Sequence, residues 1–370
     1  METNQNITSV LQQILIDRKV PLITATNADE MREAQAEYKE ILLREEYGRP
    51  LPEPDSVSFE IDLAKKPYKR FAAGKATSST VIAHTVIGGK EFSFSFQSII
   101  PNKEGKFPFV IHNDFYRGIP TMGLPAEEIV ERNVAIFHLV YEDVTADNGD
   151  FSDGLAGVIY NKADGNEREG DAPGKIAMWA WANMRIMDYA MTLDRLDFEK
   201  SAVIGHSRLG KTSLLTGLLD ERFKYIIAND SGCCGDALSR GNAGEQIADI
   251  VSQSRFHYWF CKNFFKYAEK GYAPFDQHQL LAALAPRTVM LGAAKEDAWA
   301  DPVSQYLSGI AASPAWKAFG KEGLVSPDRL PEAGDIFHSG SICYHLREGT
   351  HYLSRHDWNL YIDVLLDKAK

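Results

Sequence analysis

Two periodicities divide the chain. From Val57 to Ile100 apolar and polar residues alternate, in VSFEIDL and again on both sides of Gly88-Gly89 in TVIAHTVIGGKEFSFSFQSII. A period of two marks half-buried strands, and the glycine pair between two such runs predicts a hairpin. Upstream, NADEMREAQAEYKEILLREEYG brings Met31, Ala34, Tyr38, Ile41 and Leu42 to one face of a helix. RPLPEPD then ends that helix with three prolines, which have no amide proton to extend the ladder.

Downstream, short runs that are apolar throughout alternate with segments of helical period. FPFVIH (107–112), NVAIFHLVY (133–141), SAVIG, KYIIAND, TVMLGAA and SICYHL read as strands buried on both faces. LPAEEIVERN, GKIAMWAWANMRIMDYAMTL (174–193), LGKTSLLTGLL, DQHQLLAALA, DPVSQYLSGIAA and the terminal HDWNLYIDVLLDK read as helices. The rhythm predicts an α/β protein with helices on both faces of a mostly parallel sheet. An antiparallel start followed by parallel units suits the α/β-hydrolase fold, a three-layer sandwich. The expectation is a single domain over residues 1–370, with a helical and strand extension at about 1–100. Residues 232–275 break the rhythm with Phe256, Tyr258, Trp259 and Phe260, and read as an insertion over the C-terminal edge of the sheet.

Composition narrows the function classes. The 370 residues are 44% apolar and 25% charged with a net charge of −11, a balance that disfavours nucleic acid and anionic membranes as partners. Cys233, Cys234, Cys261 and Cys343 match no zinc spacing and read as buried reduced thiols, so neither a metal nor a cofactor is expected. No apolar stretch is long enough to span a bilayer. The opening METNQNITSVLQQILIDRKVPLI is too polar for a signal peptide. A cytoplasmic protein is therefore expected, or a secreted or periplasmic one if a leader has been removed. No obligate protein partner is indicated.

The candidate chemistry centres on VIGHSRLGKTSLL, residues 203–215. From Gly205 to Thr212 it fits the phosphate-binding pattern G-x-x-x-x-G-K-[ST] of nucleoside triphosphatases. It has only two glycines, however, with Arg208 and Leu209 where backbone amides should wrap a phosphate. The same residues set Ser207 between a strand and a helix, as in a nucleophile elbow, although Leu209 stands where a second glycine is usual and Gly210 follows one step later. A serine nucleophile needs a histidine base and an acid to orient it, in the chain order Ser, acid, His on this fold. TVMLGAA runs into Lys295-Glu296-Asp297, and REGTHYL sets His351 in a loop before the terminal helix. Order, residue type and placement agree for Ser207, His351 and either Asp297 or Glu296.

With those residues in place, the strings GHSRLGK, NDSGCCG, GEQI, FDQHQLLAALAPR, EDAWADP and REGTH resemble the glucuronoyl esterases, carbohydrate esterase family 15, above all its bacterial members. The resemblance covers the C-terminal half in detail. It implies a cofactor-free serine esterase that cleaves esters of (4-O-methyl-)glucuronic acid, a carbohydrate substrate. Deacetylation of xylan fragments on the same fold is the alternative. It also implies Ser207 as nucleophile, His351 as base and Arg208 as support for the oxyanion. Lys211, Glu245 and Trp299, and more loosely Arg240, become contacts to the uronate sugar. Asp297 matches the acid of many bacterial members and Asp230 that of fungal ones. Fungal members carry cysteines at the places held here by His206 and Tyr352, so their disulfide is not expected.

Overall fold

The structure, a computed structural model, describes residues 9–65 and 67–368. The first eight residues of the polar opening segment lie outside it. The rest of that segment includes a helix, Val10–Asp17.

Eleven strands form one sheet: β1 (Ser56–Ile61), β2 (Tyr68–Arg70), β3 (Ala76–Ile87), β4 (Lys90–Pro101), β5 (Phe107–Asp114), β6 (Ala135–Val140), β7 (Leu196–His206), β8 (Tyr225–Asn229), β9 (Thr288–Ala294), β10 (Ile336–Phe337) and β11 (Ile342–Arg347). Their order is β1-β3-β4-β6-β5-β7-β8-β9-β11-β10, with β2 paired to β3 off this path. The predicted hairpin is β3–β4, in antiparallel register from Ala76↔Pro101 to Ile87↔Lys90. Its turn residues Gly88 (φ 55°) and Gly89 (φ 75°) are both left-handed, which a two-residue turn matching strand twist requires. β4 joins antiparallel to β6, and the block β6-β5-β7-β8-β9-β11 is parallel throughout. The fold is that of an α/β-hydrolase.

Side-chain alternation along the parallel strands feeds two cores. On β7, Val203 joins the larger core with Trp179 and Ile186 of the helix Lys175–Ala190 and Leu214 of the helix Arg208–Leu219. Ala202 and Ile204 face the other way, toward Trp358, Tyr361 and Ile362 of the terminal helix Arg355–Leu365. Burying side chains of this size removes about 1.5–3 kcal/mol of apolar exposure each. These residues therefore hold the sheet between its helical layers. β7 begins at Leu196 rather than at the expected Ser201, because the half-polar LDFEK pairs with its neighbour only near Phe107 before a bulge.

Residues 232–275, read from the sequence as an insertion, hold short helical pieces at Ile247–Ile250, His257–Trp259 and Lys262–Tyr267. All four cysteines are buried and free. None of the described helices is long and apolar enough to cross a membrane. β5 lies between β6 and β7, so the chain leaves it toward one side and later returns on the other. A crevice opens at such a switch point, outside the carboxyl ends of the strands.

Candidate active site

Ser207 stands at that switch point. It follows the last residue of β7 and precedes the first of the helix Arg208–Leu219, with φ 58° and ψ −127°. A side chain rarely tolerates this backbone geometry, and the turn is held by the Ser207 amide donating to the Asn229 carbonyl at 2.8 Å. The two glycines are explained by what a Cβ would meet. At Gly205 it would lie 2.1 Å from the Leu209 carbonyl oxygen, and at Gly210 2.8 Å from Ser231 Cβ. The displaced second glycine thus keeps the elbow helix against the β8 loop. Among the described residues, no backbone hydrogen bond engages the Arg208 and Leu209 amides. Unpaired amides at a helix start present donors to an anion.

This elbow leaves no phosphate loop. Strand and helix are separated by one residue, and Lys211 is already in the first helical turn. Its side chain is buried and donates to the Ser231 carbonyl. Lys211 therefore fits neither a nucleotide phosphate nor the expected sugar contact as placed; it runs beneath the loop after β8.

Ser207 lines a pocket of about 310 Å³ with His112, Asn113, Asp114, Phe115, Tyr116 and Met122 on one side and His206, Arg208, His351, Tyr352 and Leu353 on the other. His351 comes from the loop after β11 and is 43% exposed, open enough to meet a substrate proton. Its Nδ1 lies 2.5 Å from Asp297 Oδ2. With Asp297 accepting, Nδ1 donates and Nε2 is left with its lone pair free. Asp297 is held in the turn after β9, its amide donating to the Ala294 carbonyl at 3.1 Å. The neighbouring Glu296 is exposed, and among the described residues it makes no hydrogen bond to His351, which Asp297 does.

Asp230 also reaches this group: its carboxylate, that of Asp297 and a His351 ring nitrogen lie within 4.8 Å of one another. Its Oδ1 accepts from the Ala294 amide at 2.9 Å, while Oδ2 has no hydrogen-bond partner and Arg347 Nη2 is 3.6 Å away. Burial, then the charge of Asp297, pushes the Asp230 carboxyl well above the usual carboxylate range. Its position thus favours the protonated form of Asp230. His206, at the position where fungal relatives were expected to carry a cysteine, packs its ring 4.3 Å from that of His351. Its Nδ1 is 2.7 Å from Asn229 Oδ1, and burial, then the His351 charge, lowers its pKa to about 3.

Arg208 is placed by residues that sequence reasoning passed over. Its Nη1 donates to Asp147 Oδ2, and its guanidinium lies 4.7 Å over the Trp259 ring and 5.3 Å over that of Phe256. Asp147 is itself fixed by Trp259 Nε1 at 2.7 Å, Tyr141 Oη at 2.8 Å and Tyr258 Oη at 2.9 Å. The insertion is thus the clamp on Arg208. The only sequence trace of this was the aromatic cluster itself, with an acidic loop after β6.

Glu245 and Trp299 sit together, joined by the Glu245 amide donating to the Trp299 carbonyl at 2.8 Å. Trp299 is half exposed, and the Glu245 carboxylate accepts no hydrogen bond from the described residues. Both lie outside the pocket around Ser207. Arg240 does not join the site: it binds Asp276 at 3.0 Å and the carbonyls of Phe275 and Ala273. That set of bonds, all to buried acceptors, makes it a fastening for the loop before Gln277 and corrects the expected sugar contact.

The sequence profile described as "Glucuronyl esterase, fungi" matches residues 83–320. This chain belongs to the glucuronyl esterase family. Among curated proteins, it is 36% identical to a carbohydrate esterase from an unknown prokaryotic organism, over 76% of this chain and 64% of that protein. It is 27% identical to the 4-O-methyl-glucuronoyl methylesterase of Podospora anserina, over 77% of this chain and 56% of that one. The chain thus spans somewhat under two thirds of these relatives' length. Solved structures agree with the fold. A promiscuous CE15 esterase from a marine bacterial metagenome superposes with TM-score 0.82 at 28% identity, covering 93% of this chain and 94% of that one. The glucuronoyl esterase from Solibacter usitatus gives 0.81 at 27%, covering 95% and 100%.

Proposed function

We propose that the chain is a serine esterase that hydrolyses esters of (4-O-methyl-)glucuronic acid, as in glucuronoxylan–lignin linkages or smaller uronate esters. The observation that carries this is the His351–Asp297 pair at 2.5 Å facing the same pocket as Ser207 on its strained elbow. In this reading His351 Nε2 takes the Ser207 proton as Oγ attacks the uronoyl carbonyl. The Arg208 guanidinium and the unpaired amides at the helix start stabilise the oxyanion. His351 then returns the proton to the departing alcohol, and water, deprotonated by the same imidazole, releases the uronate. Glu245, with its free carboxylate, accepts from sugar hydroxyls, and the Trp299 indole supplies an apolar face beside them. Lys211 supports the loop from below. Asp297 holds the imidazole in the productive tautomer.

The test is an assay of benzyl glucuronate beside an acetylated xylo-oligosaccharide, with the wild type and Ser207→Ala. The wild type should cleave the uronate ester, and Ser207→Ala should lose at least about 10³-fold in kcat. Cleavage of the acetyl ester alone would overturn the substrate assignment. Undiminished turnover by Ser207→Ala would overturn the nucleophile.

A further inference from the structure

His112 and Asp114 line the pocket around Ser207, and with His138 they form a second cluster that the esterase chemistry does not use. His112 and Asp114 are two residues apart on β5, and His138 stands opposite His112 in the parallel register with β6. All three therefore project from one face of the sheet, beside Val110 and Ile136, where an apolar core begins. Each is almost fully buried, at 1%, 2% and 3% exposure respectively. Their ligand atoms lie within 4.8 Å of one another. His138 Nε2 is 3.1 Å and His112 Nδ1 3.8 Å from Asp114 Oδ2.

A purely structural role accounts for only part of this. Asp114 ties the following loop by accepting from Thr121 Oγ1 at 2.7 Å and the Tyr116 amide at 3.2 Å, and His138 completes that set. His112 takes no part in it. Its Nδ1 is buried, has no hydrogen-bond partner and points at the Asp114 carboxylate, while the ring is wedged edge-on against Trp358 at 5.2 Å. A leucine or valine there would pack as well without an unpaired nitrogen.

We propose that His112, Asp114 and His138 form a binding site for a divalent transition-metal ion of the zinc class, at the pocket that holds Ser207. Two imidazoles and a carboxylate are a donor set for such an ion. Ligand atoms of a tetrahedral site with bonds near 2.1 Å sit roughly 3.4 Å apart, which lies between the 3.1 and 3.8 Å separations here. His112 and Asp114 line the pocket, so an ion has a route in and an open position for water or an ester oxygen.

The test is zinc binding itself, which reads independently of esterase activity. Metal-stripped protein is titrated with zinc by calorimetry and with cobalt by visible absorption, using wild type, His112→Phe, His138→Gln and His351→Ala, all checked for folding. One ion per chain should bind the wild type and His351→Ala alike, with affinity at least about 10-fold lower in His112→Phe and His138→Gln. At a fixed zinc concentration Tm should rise more in wild type and His351→Ala than in the other two. Should His112→Phe fail to fold, His138→Gln decides. Absence of stoichiometric binding overturns the site. So does loss of binding in His351→Ala with retention in His138→Gln, which would place the ion on the Asp230–Asp297–His351 group instead.

Discussion

His351 faces two carboxyl groups, and their environments separate them. Asp297 meets the imidazole Nδ1 at 2.5 Å, whereas Asp230 is buried behind it with its carboxyl pushed well above the usual range. A carboxyl held toward its protonated form, and not bonded to the ring, is a poor partner for an imidazolium. Asp297→Asn should therefore lower kcat by about 10³–10⁴-fold through loss of the tautomer and the charge, while Asp230→Asn should cost less than about 10-fold. Steady-state kinetics on benzyl glucuronate separates the two, and equal losses would show that the acids work as a pair. At this scale much was legible. Ser207, Asp297 and His351 each end or follow an apolar run, and a run that short marks its own strand end. Asp147 was not legible, because its role exists only once Tyr141, Tyr258 and Trp259 have folded around it. The roles read for Lys211 and Arg240 went astray for a related reason. Spacing places a side chain on a helix or loop, but buried acceptors nearby decide where its charge goes.

The elbow shows what an element asks of its residues. Between β7 and its helix there is room for one residue, and Gly205 makes that turn possible by letting the chain pass the Leu209 carbonyl. Gly205→Ala would bring a Cβ to 2.1 Å from that oxygen. The backbone must shift to relieve it, at a cost of about 1–3 kcal/mol. Thermal unfolding should show Tm lowered by several degrees, with activity reduced further than stability alone accounts for because Ser207 moves with the turn. An unchanged Tm would show that the turn is more yielding than its contacts indicate. Elements of strong period were read well: the Gly88-Gly89 hairpin and the terminal helix stand where alternation and helical spacing put them. Boundaries were missed where the pattern was mixed. β7 extends back through the half-polar LDFEK, and the two-residue β10 has no apolar run to announce it.

At the scale of the molecule, buried titratable groups set the pH range of stability. Burial holds His112 and His278 at about 4, and His206 and His338 at about 3, against 6.5 for the free residue. These rings are neutral when folded, so the unfolded chain binds more protons below pH 6.5 and stability falls as pH drops. Glu46 acts in the opposite sense. Fully buried, it is raised to about 8 from 4.5, so its stabilising protonated form is complete at acid pH and is lost as pH rises toward 8. Asp236, raised to about 6, does the same over a lower window. Four rings outweigh the three raised carboxyls, Glu46, Asp236 and Asp230, on the acid side, and Glu46 and Asp230 prevail above neutrality. Stability should thus peak between about pH 6 and 7. Thermal unfolding from pH 4.5 to 8.5 checks this, and Glu46→Gln should flatten the alkaline fall. The parallel sheet was evident from the rhythm of apolar runs, but its switch point and these charges were not, because strand order and burial are properties of the assembled fold. The aromatic clamp on Arg208 has a consequence of the same kind. A free arginine meeting an oxyanion must give up its rotamers at that moment, whereas here Asp147, Phe256 and Trp259 have already frozen the guanidinium during folding. The site is preorganised: the entropy of aiming that charge is settled before any ester arrives.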